Sequence, residues 1–187
     1  MAYKQHFIEW FSGKQLPSYW TGAGTGSTSM SDSVDGGLQV TTGTGAYNEY
    51  AIDFNTIRQY AHDGSVLIAV AKLSSTASAI YDVALWGTTG GFARVFYDST
   101  TDTYFELSTY DGTTSTSTAS SIAIDTAWHV HKIETGASDI KLTIDGVLQV
   151  TKTTNRPTTK MEPFVRATTR TTAAKTISVR YMECYNT

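Results

Sequence analysis

Trp128-His129-Val130-His131-Lys132-Ile133-Glu134, then Gly136-Ala137-Ser138-Asp139, then Ile140-Lys141-Leu142-Thr143-Ile144-Asp145-Gly146-Val147-Leu148-Gln149-Val150-Thr151, is the stretch that decides the fold. Apolar residues recur at every second position, which puts Ile140, Leu142 and Ile144 on one face of an extended segment. Asp145-Gly146 between two such segments is a hairpin signal, because a type I′ turn needs positive φ at both central positions. Residues 136–139 read as the preceding turn, so three consecutive antiparallel strands are expected.

The period of two continues outward from this core. Downstream, 175–183 places Ile177, Val179 and Tyr181 on one face. Upstream, 36–42, 49–54, 79–86, 94–97 and 104–109 read as strands, with Tyr50, Ile52 and Phe54 sharing a face. The run 65–72 is apolar on both faces, as befits a strand in the middle of a sandwich. The tract 112–121 is almost all Thr, Ser, Gly and Ala, and is expected to be a loop plus an edge strand. Only 56–60 could turn helically, and it is too short to matter. Without helical partners these strands imply an all-β, two-sheet antiparallel β-sandwich, and with no linker or repeat the chain reads as one domain over 1–187.

Composition bounds the function. The chain has 187 residues, 14 Lys+Arg against 17 Asp+Glu, a net charge of -3 and 17% charged residues. With no cationic run, a dedicated nucleic-acid binder is excluded. No apolar stretch approaches the roughly 20 residues of a membrane span. The single Cys184 cannot form an internal disulfide or a cysteine-based metal site, and reads as an inert small hydrophobe. Ser and Thr supply about a quarter of the chain, well above ordinary usage. Residues 1–10 lack the apolar core and cleavage site of a secretory leader.

The pattern Trp128-His129-x-His131-x-Ile133, then Ile140-x-Leu142-x-Ile144-Asp145-Gly146-Val147-Leu148, resembles the concanavalin A-like lectin/glucanase superfamily in its laminin-G-like branch. The opening Phe11-Ser12-Gly13-Lys14-Gln15-Leu16, Tyr19-Trp20-Thr21 and Gly37-Leu38-Gln39-Val40 is similar to the entry of such jelly rolls, and 177–181 to their closing strand. The resemblance implies a two-sheet jelly roll and no single function, because this fold hosts lectins, glycosidases, adhesion domains and virus structural proteins. Its glucanases carry their acids on one strand as Glu-x-Asp-x-Glu, or with one extra residue before the last Glu, and neither run exists here. Glu49 and Asp53 come nearest, but at i, i+4 they lie some 13 Å apart along a strand.

Four residues are the candidate ligand contacts. Trp86 ends a strand beside the glycine-rich 87–91 segment, and Tyr97, Tyr104 and Tyr110 on following strands could extend an aromatic platform for the apolar faces of sugars. Trp10, Trp20 and Trp128 are assigned to structure. His129 and His131 project from one strand face and would need a third ligand to hold a metal. Asp98 and Asp102 are the candidate calcium ligands, since loops of the superfamily bind this ion, although their spacing matches no calcium motif; no other cofactor is expected. Gly-x-Ser-x-Gly, phosphate loops and dinucleotide fingerprints are absent from the sequence.

The resulting expectation is a non-enzymatic, lectin-like surface module of a virus or phage particle, located on a virion or extracellular surface. It would contact glycans or neighbouring subunits, with Thr-rich edges at 113–118 and 168–172 supporting a homo-oligomer. The alternative is a secreted carbohydrate-binding module, and behind it a degenerate glucanase.

Overall fold

The computed structural model describes residues 5–12, 15–31, 37–55, 57–87, 89 and 91–187. Gly13 and Lys14 of the jelly-roll entry, Gly36 at the head of an expected strand, residue 56 of the short helical candidate, and positions 88 and 90 of the glycine-rich loop lie outside the described residues.

Two antiparallel sheets account for the fold. The eight-stranded sheet contains β1 (His6–Glu9), β3 (Gly26–Ser31), β4 (Gly37–Thr42), β6 (Ser65–Leu73), β11 (His129–Thr135), β12 (Ile140–Ile144), β13 (Val147–Lys152) and β15 (Thr176–Asn186). Its order is β13-β12-β11-β6-β15-β4-β3, with β1 also paired to β15. The seven-stranded sheet contains β2 (Thr21–Gly24), β5 (Glu49–Asp53), β7 (Ala79–Trp86), β8 (Phe92–Asp98), β9 (Tyr104–Tyr110), β10 (Ser115–Ala123) and β14 (Glu162–Thr169), in the order β10-β9-β8-β7-β14-β5-β2. No helix occurs among the described residues.

The decisive hairpin forms as expected. Asp145 and Gly146 have φ of 52° and 81°, and β12 pairs with β13 across them. One face of each strand fills the space between the sheets: Leu67, Ala69, Tyr81, Val83, Leu85, Val95, Leu107, Ile133, Leu142, Val165, Ile177 and Val179 are buried there. A second aromatic group seals one end, where Phe7, Trp20 and Phe54 meet edge-on at 4.6–5.8 Å. Cys184 is buried and burial pushes its thiol well above the ordinary range, so it stays protonated.

The sheets join at both sides. At one side the chain passes from β2 directly into β3 through Gly24, whose φ is +112° and where an added Cβ would sit 2.3 Å from the Glu49 carbonyl oxygen. At the other side β10 and β13 come together: Lys152 Nζ donates to the Thr116 carbonyl (2.7 Å), and the Ser121 N–H donates to Gln149 Oε1 (3.2 Å). Within the Thr-rich edge at 113–118, Thr116 is held by Lys152 of the opposite sheet, while Thr113, Thr114, Ser115, Ser117 and Thr118 stand exposed. The other Thr-rich stretch is not an edge, because Thr168 and Thr169 lie in β14 between β5 and β7 and are 6% and 0% exposed.

Four strands were not expected from the sequence. β1, β2 and β3 are short and largely exposed; β1 has only four residues, and β2 and β3 are rich in Gly, Ser and Thr. β14 is central, yet carries Pro163, which argues against an interior strand. The structure accommodates it because β5 pairs with β14 only from Phe164 onward, leaving Pro163 laddered to β7 alone through Leu85. Trp20 is buried and Trp128 half-buried, as assigned, but Trp10 is 66% exposed and rests on Tyr181 at 4.5 Å.

Candidate functional site

The outer face of the seven-stranded sheet gathers most of the chemistry. Residues that alternate with the core positions form three rows across the strands. One runs Glu106 (β9), Phe96 (β8), Asp82 (β7), Arg166 (β14) and Ala51 (β5). The next runs Ser108, Arg94, Ala84, Phe164 and Asp53. Tyr110, Phe92, Trp86 and Glu162 form the row beyond.

Asp82 anchors this face. It is fully buried, with Arg94 on one oxygen at 2.7 Å and Arg166 on the other at 2.6–2.7 Å. Phe92 and Phe96 sandwich the Arg94 guanidinium at 4.4 and 4.1 Å, and Glu49 takes a second edge of Arg166 at 3.4 Å. Such a pair holds only while complete, because a buried charge without its partner is costly. Both oxygens are occupied and shielded, so Asp82 fixes geometry and is not available to accept a proton from water. On β7 its neighbours along the same face are Ile80 and Ala84, so the middle of the sheet presents a single acid where a Glu-x-Asp-x-Glu strand would present three.

Glu106 is the carboxyl group that differs. Burial and the nearby Asp102 push it above the ordinary carboxylate range, against smaller opposing effects of Ser117, Lys152 and Arg94. It is half-buried on the same face as Asp82, two strands away, which is roughly 10 Å between backbones. A group tuned this way can hold a proton and deliver it to a leaving oxygen.

The four proposed ligand residues separate. Trp86 and Tyr110 lie on this face, joined through Phe92: Trp86 stacks on Phe92 at 4.8 Å and 7°, on Phe164 at 4.8 Å and 22°, and Phe92 meets Tyr110 at 5.6 Å. Both faces of the Trp86 indole are thus covered, so the row offers ring edges rather than an open platform for a sugar. Tyr97 points inward, 4% exposed, and donates its hydroxyl to the Thr76 carbonyl at 2.5 Å. Tyr104 stands exposed at the start of β9, away from the stack. Glu106 and Arg94 escaped the sequence reading; alternation alone put Glu106 outward, but only the register showed it facing Asp82.

Asp98 and Asp102 close a tight loop. Asp98 accepts the Thr100 N–H at 3.0 Å and hydroxyl at 2.8 Å and is paired with Arg170, while Asp102 accepts the Asp98 N–H at 2.7 Å. Burial acts to raise Asp98, but the Thr100 and Arg170 bonds outweigh it and hold the carboxyl below its usual range. Asp98, one of the two carboxylates expected to ligate calcium, is thus paired with the Arg170 guanidinium. His129 and His131 also part ways, although both face inward. His129 bridges Asp145 at 2.7 Å and Asp125 at 3.0 Å, which hold it above its ordinary value despite burial. His131 is buried among Phe105, Tyr81 and His129 with no hydrogen-bond partner on either ring nitrogen, and burial holds it down to about 3. No cluster of three metal-binding side chains exists among the described residues.

No family model and no curated protein matches the sequence. Solved structures do match. The Crh5 transglycosylase superposes with a TM-score of 0.74 at 15% identity, covering 97% of this chain and 84% of that one. A Bacillus licheniformis β-glucanase gives 0.73 at 13%, covering 97% and 98%. A β-1,3-1,4-glucanase (lichenase) from a mouse hindgut metagenome gives 0.71 at 12%, covering 97% and 98%. The chain has the concanavalin A-like jelly-roll fold over nearly its whole length. These neighbours correct the expectation of a non-enzymatic lectin-like particle module: they are glucanases and a transglycosylase, not lectins or virion proteins. The non-enzymatic part of the expectation rested on the missing Glu-x-Asp-x-Glu run, which speaks to one strand, and the particle part on a lectin-like fold with a hydroxyl-rich surface and no leader or disulfide, whereas the superposition speaks to the whole fold.

Proposed function

We propose that this chain is a degenerate glucanase-type domain: it binds a linear neutral glycan across the outer face of the seven-stranded sheet and cleaves or transfers it slowly. Glu106 supplies the proton to the leaving glycosidic oxygen as the C–O bond breaks, water or the hydroxyl of a second sugar adds to the anomeric carbon and releases its proton to solvent, and Glu106 is reprotonated from solvent. The Arg94–Asp82–Arg166 group keeps the floor rigid, and the Tyr110–Phe92–Trp86–Phe164 ring stack offers ring edges to the sugar C–H surface. Slowness follows from the second carboxyl: glycoside hydrolysis uses a pair, and here Asp82 is locked by two arginines.

The observation that carries this reading is the half-buried Glu106, its carboxyl raised by burial and by Asp102, on the face that also holds the buried charge group and the aromatic stack. The names of the structural neighbours support glycans as the substrate class. In the three rows of this face the acids Asp82, Glu106, Asp53 and Glu162 outnumber Arg94 and Arg166, which disfavours an anionic chain. The test is product release or transfer from β-1,3-, β-1,4- and mixed-linkage glucans. Wild type turns over at least one; Glu106→Gln lowers the rate about 100-fold or more, the size of a general-acid contribution, while binding persists. A wild type that neither binds nor processes any of them ends the proposal.

A further inference from the structure

A second cleft lies at the end of the sandwich, between the loops that follow β9, β11 and β13 and the turn before β6. It has a volume of about 480 Å³, in the range of small-molecule sites. Its walls are tied together. Asp111 accepts the backbone N–H groups of Thr113 and Thr114, both at 2.8 Å, and Asn155 Nδ2 at 3.2 Å. Asn155 in turn accepts the Thr116 hydroxyl at 3.2 Å, and it holds a positive φ of 51° to do so. Arg156 donates to the Gly136 carbonyl at 3.0 Å and to that of Ala137, clamping the third loop.

What remains turned to the cleft is a small mixed set. The Asp63 carboxylate, the His62 imidazole and the Thr153 hydroxyl line it, and none forms a side-chain hydrogen bond or ion pair with another described residue. Arg156 also lines the cleft and meets the two carbonyls through Nη1. An acceptor-only carboxylate, a donor-only guanidinium, a group that does either, and a hydroxyl suit adjacent hydroxyl groups, each of which both donates and accepts. The charges of Asp63 and Arg156 oppose, so neither an anion nor a metal ion is favoured. The cleft contains no large aromatic side chain, which removes a flat heterocycle as the natural guest.

We propose that this cleft binds a neutral sugar unit as a second site, separate from Glu106. It goes beyond the function proposed above, because it needs no chemistry at Glu106. Asp111 directly follows Tyr110, so the cleft begins where the aromatic row ends, and a glycan leaving that row reaches it.

Amide shift mapping of the whole chain tests this, with glucose, galactose and cellobiose as probes and phosphate and calcium chloride as ion controls. The sugars shift amides at 62–63 and 153–158, and Asp63→Ala weakens their binding about tenfold, the loss of one charge-assisted contact. His62→Ala gives a smaller loss and guards against a folding defect, which dispersed spectra exclude directly. Unshifted amides with every sugar, shifts produced by phosphate or calcium instead, or an Asp63→Ala titration matching wild type each overturn the proposal. Failure here leaves the Glu106 result intact, since that one is read as product from polysaccharide. Failure of Glu106 likewise leaves these titrations standing.

Discussion

The two outer faces of this sandwich share one backbone geometry and differ in how their charges are kept. On the eight-stranded sheet, Lys132 and Glu134 pair at 2.9 Å and are about one-third exposed, and Lys141 meets Asp139 at 3.1 Å, also in reach of water. Around them Val130, Val147 and Leu148 stand exposed. On the seven-stranded sheet, Asp82 is buried between two arginines that are themselves packed on phenylalanine and tryptophan rings. Solvated pairs contribute about 0–1 kcal/mol, whereas breaking a buried group costs about 3–5 kcal/mol. The buried group lies on the seven-stranded face, and that is the face on which Glu106 stands.

The sharpest way to break the contrast is to remove a carboxylate from each face. Asp82→Ala leaves Arg94 and Arg166 uncompensated and should lower unfolding stability by about 3–5 kcal/mol in urea titration. Glu134→Ala should stay within about 0.5 kcal/mol. Equal losses would erase the distinction.

The histidines sharpen the comparison inside the sandwich. His131 has a folded value of about 3 against 6.5 for an ordinary imidazole, so its neutral form is stabilising above that ordinary value and the stability is lost as pH falls toward the folded one. His129 is raised, so its contribution has the opposite sign: present at lower pH and lost as pH rises through its folded value. His131→Phe, which fits between Phe105 and Tyr81, should therefore flatten the fall in thermal midpoint between about pH 7 and about pH 4. An unchanged acid limb would mean that His131 finds a partner in solution.

Smaller effects follow at the margins. Lys152 lowers Glu106 toward ordinary acidity, so Lys152→Met should raise the Glu106 carboxyl further and move the alkaline limb of turnover to higher pH. It also removes the bonds to Thr116 at the β10 edge, costing about 1–3 kcal/mol. A pH profile that stays fixed would detach Glu106 from the chemistry. On the other face, Val130→Thr should leave glycan binding as it is and stability within about 0.5 kcal/mol.

The sandwich was legible because alternation needs only neighbours in sequence: Ile140, Leu142 and Ile144 face inward, and Asp145-Gly146 turns as its residue types demand. β14 escaped because Pro163 contradicts a central strand unless the end of β5 is known. The site was less legible for the same reason. Trp86 was singled out as a large ring beside glycines, but sequence could not show Phe92 and Phe164 covering its two faces. Asp82 and Arg166 are 84 positions apart, and nothing local to either marks them as partners. Tyr97 has the parity of Val95, which already pointed it into the core.

The most direct test is amide shift mapping with a linear β-glucan oligosaccharide on labelled wild type. The account predicts shifts concentrated on the outer positions of β7, β8, β9 and β14, around Glu106, Arg94, Trp86 and Phe164, with the outer face of the eight-stranded sheet silent. Shifts centred on Val130, Lys132 and Leu148, or an unchanged spectrum at saturating oligosaccharide, would contradict it.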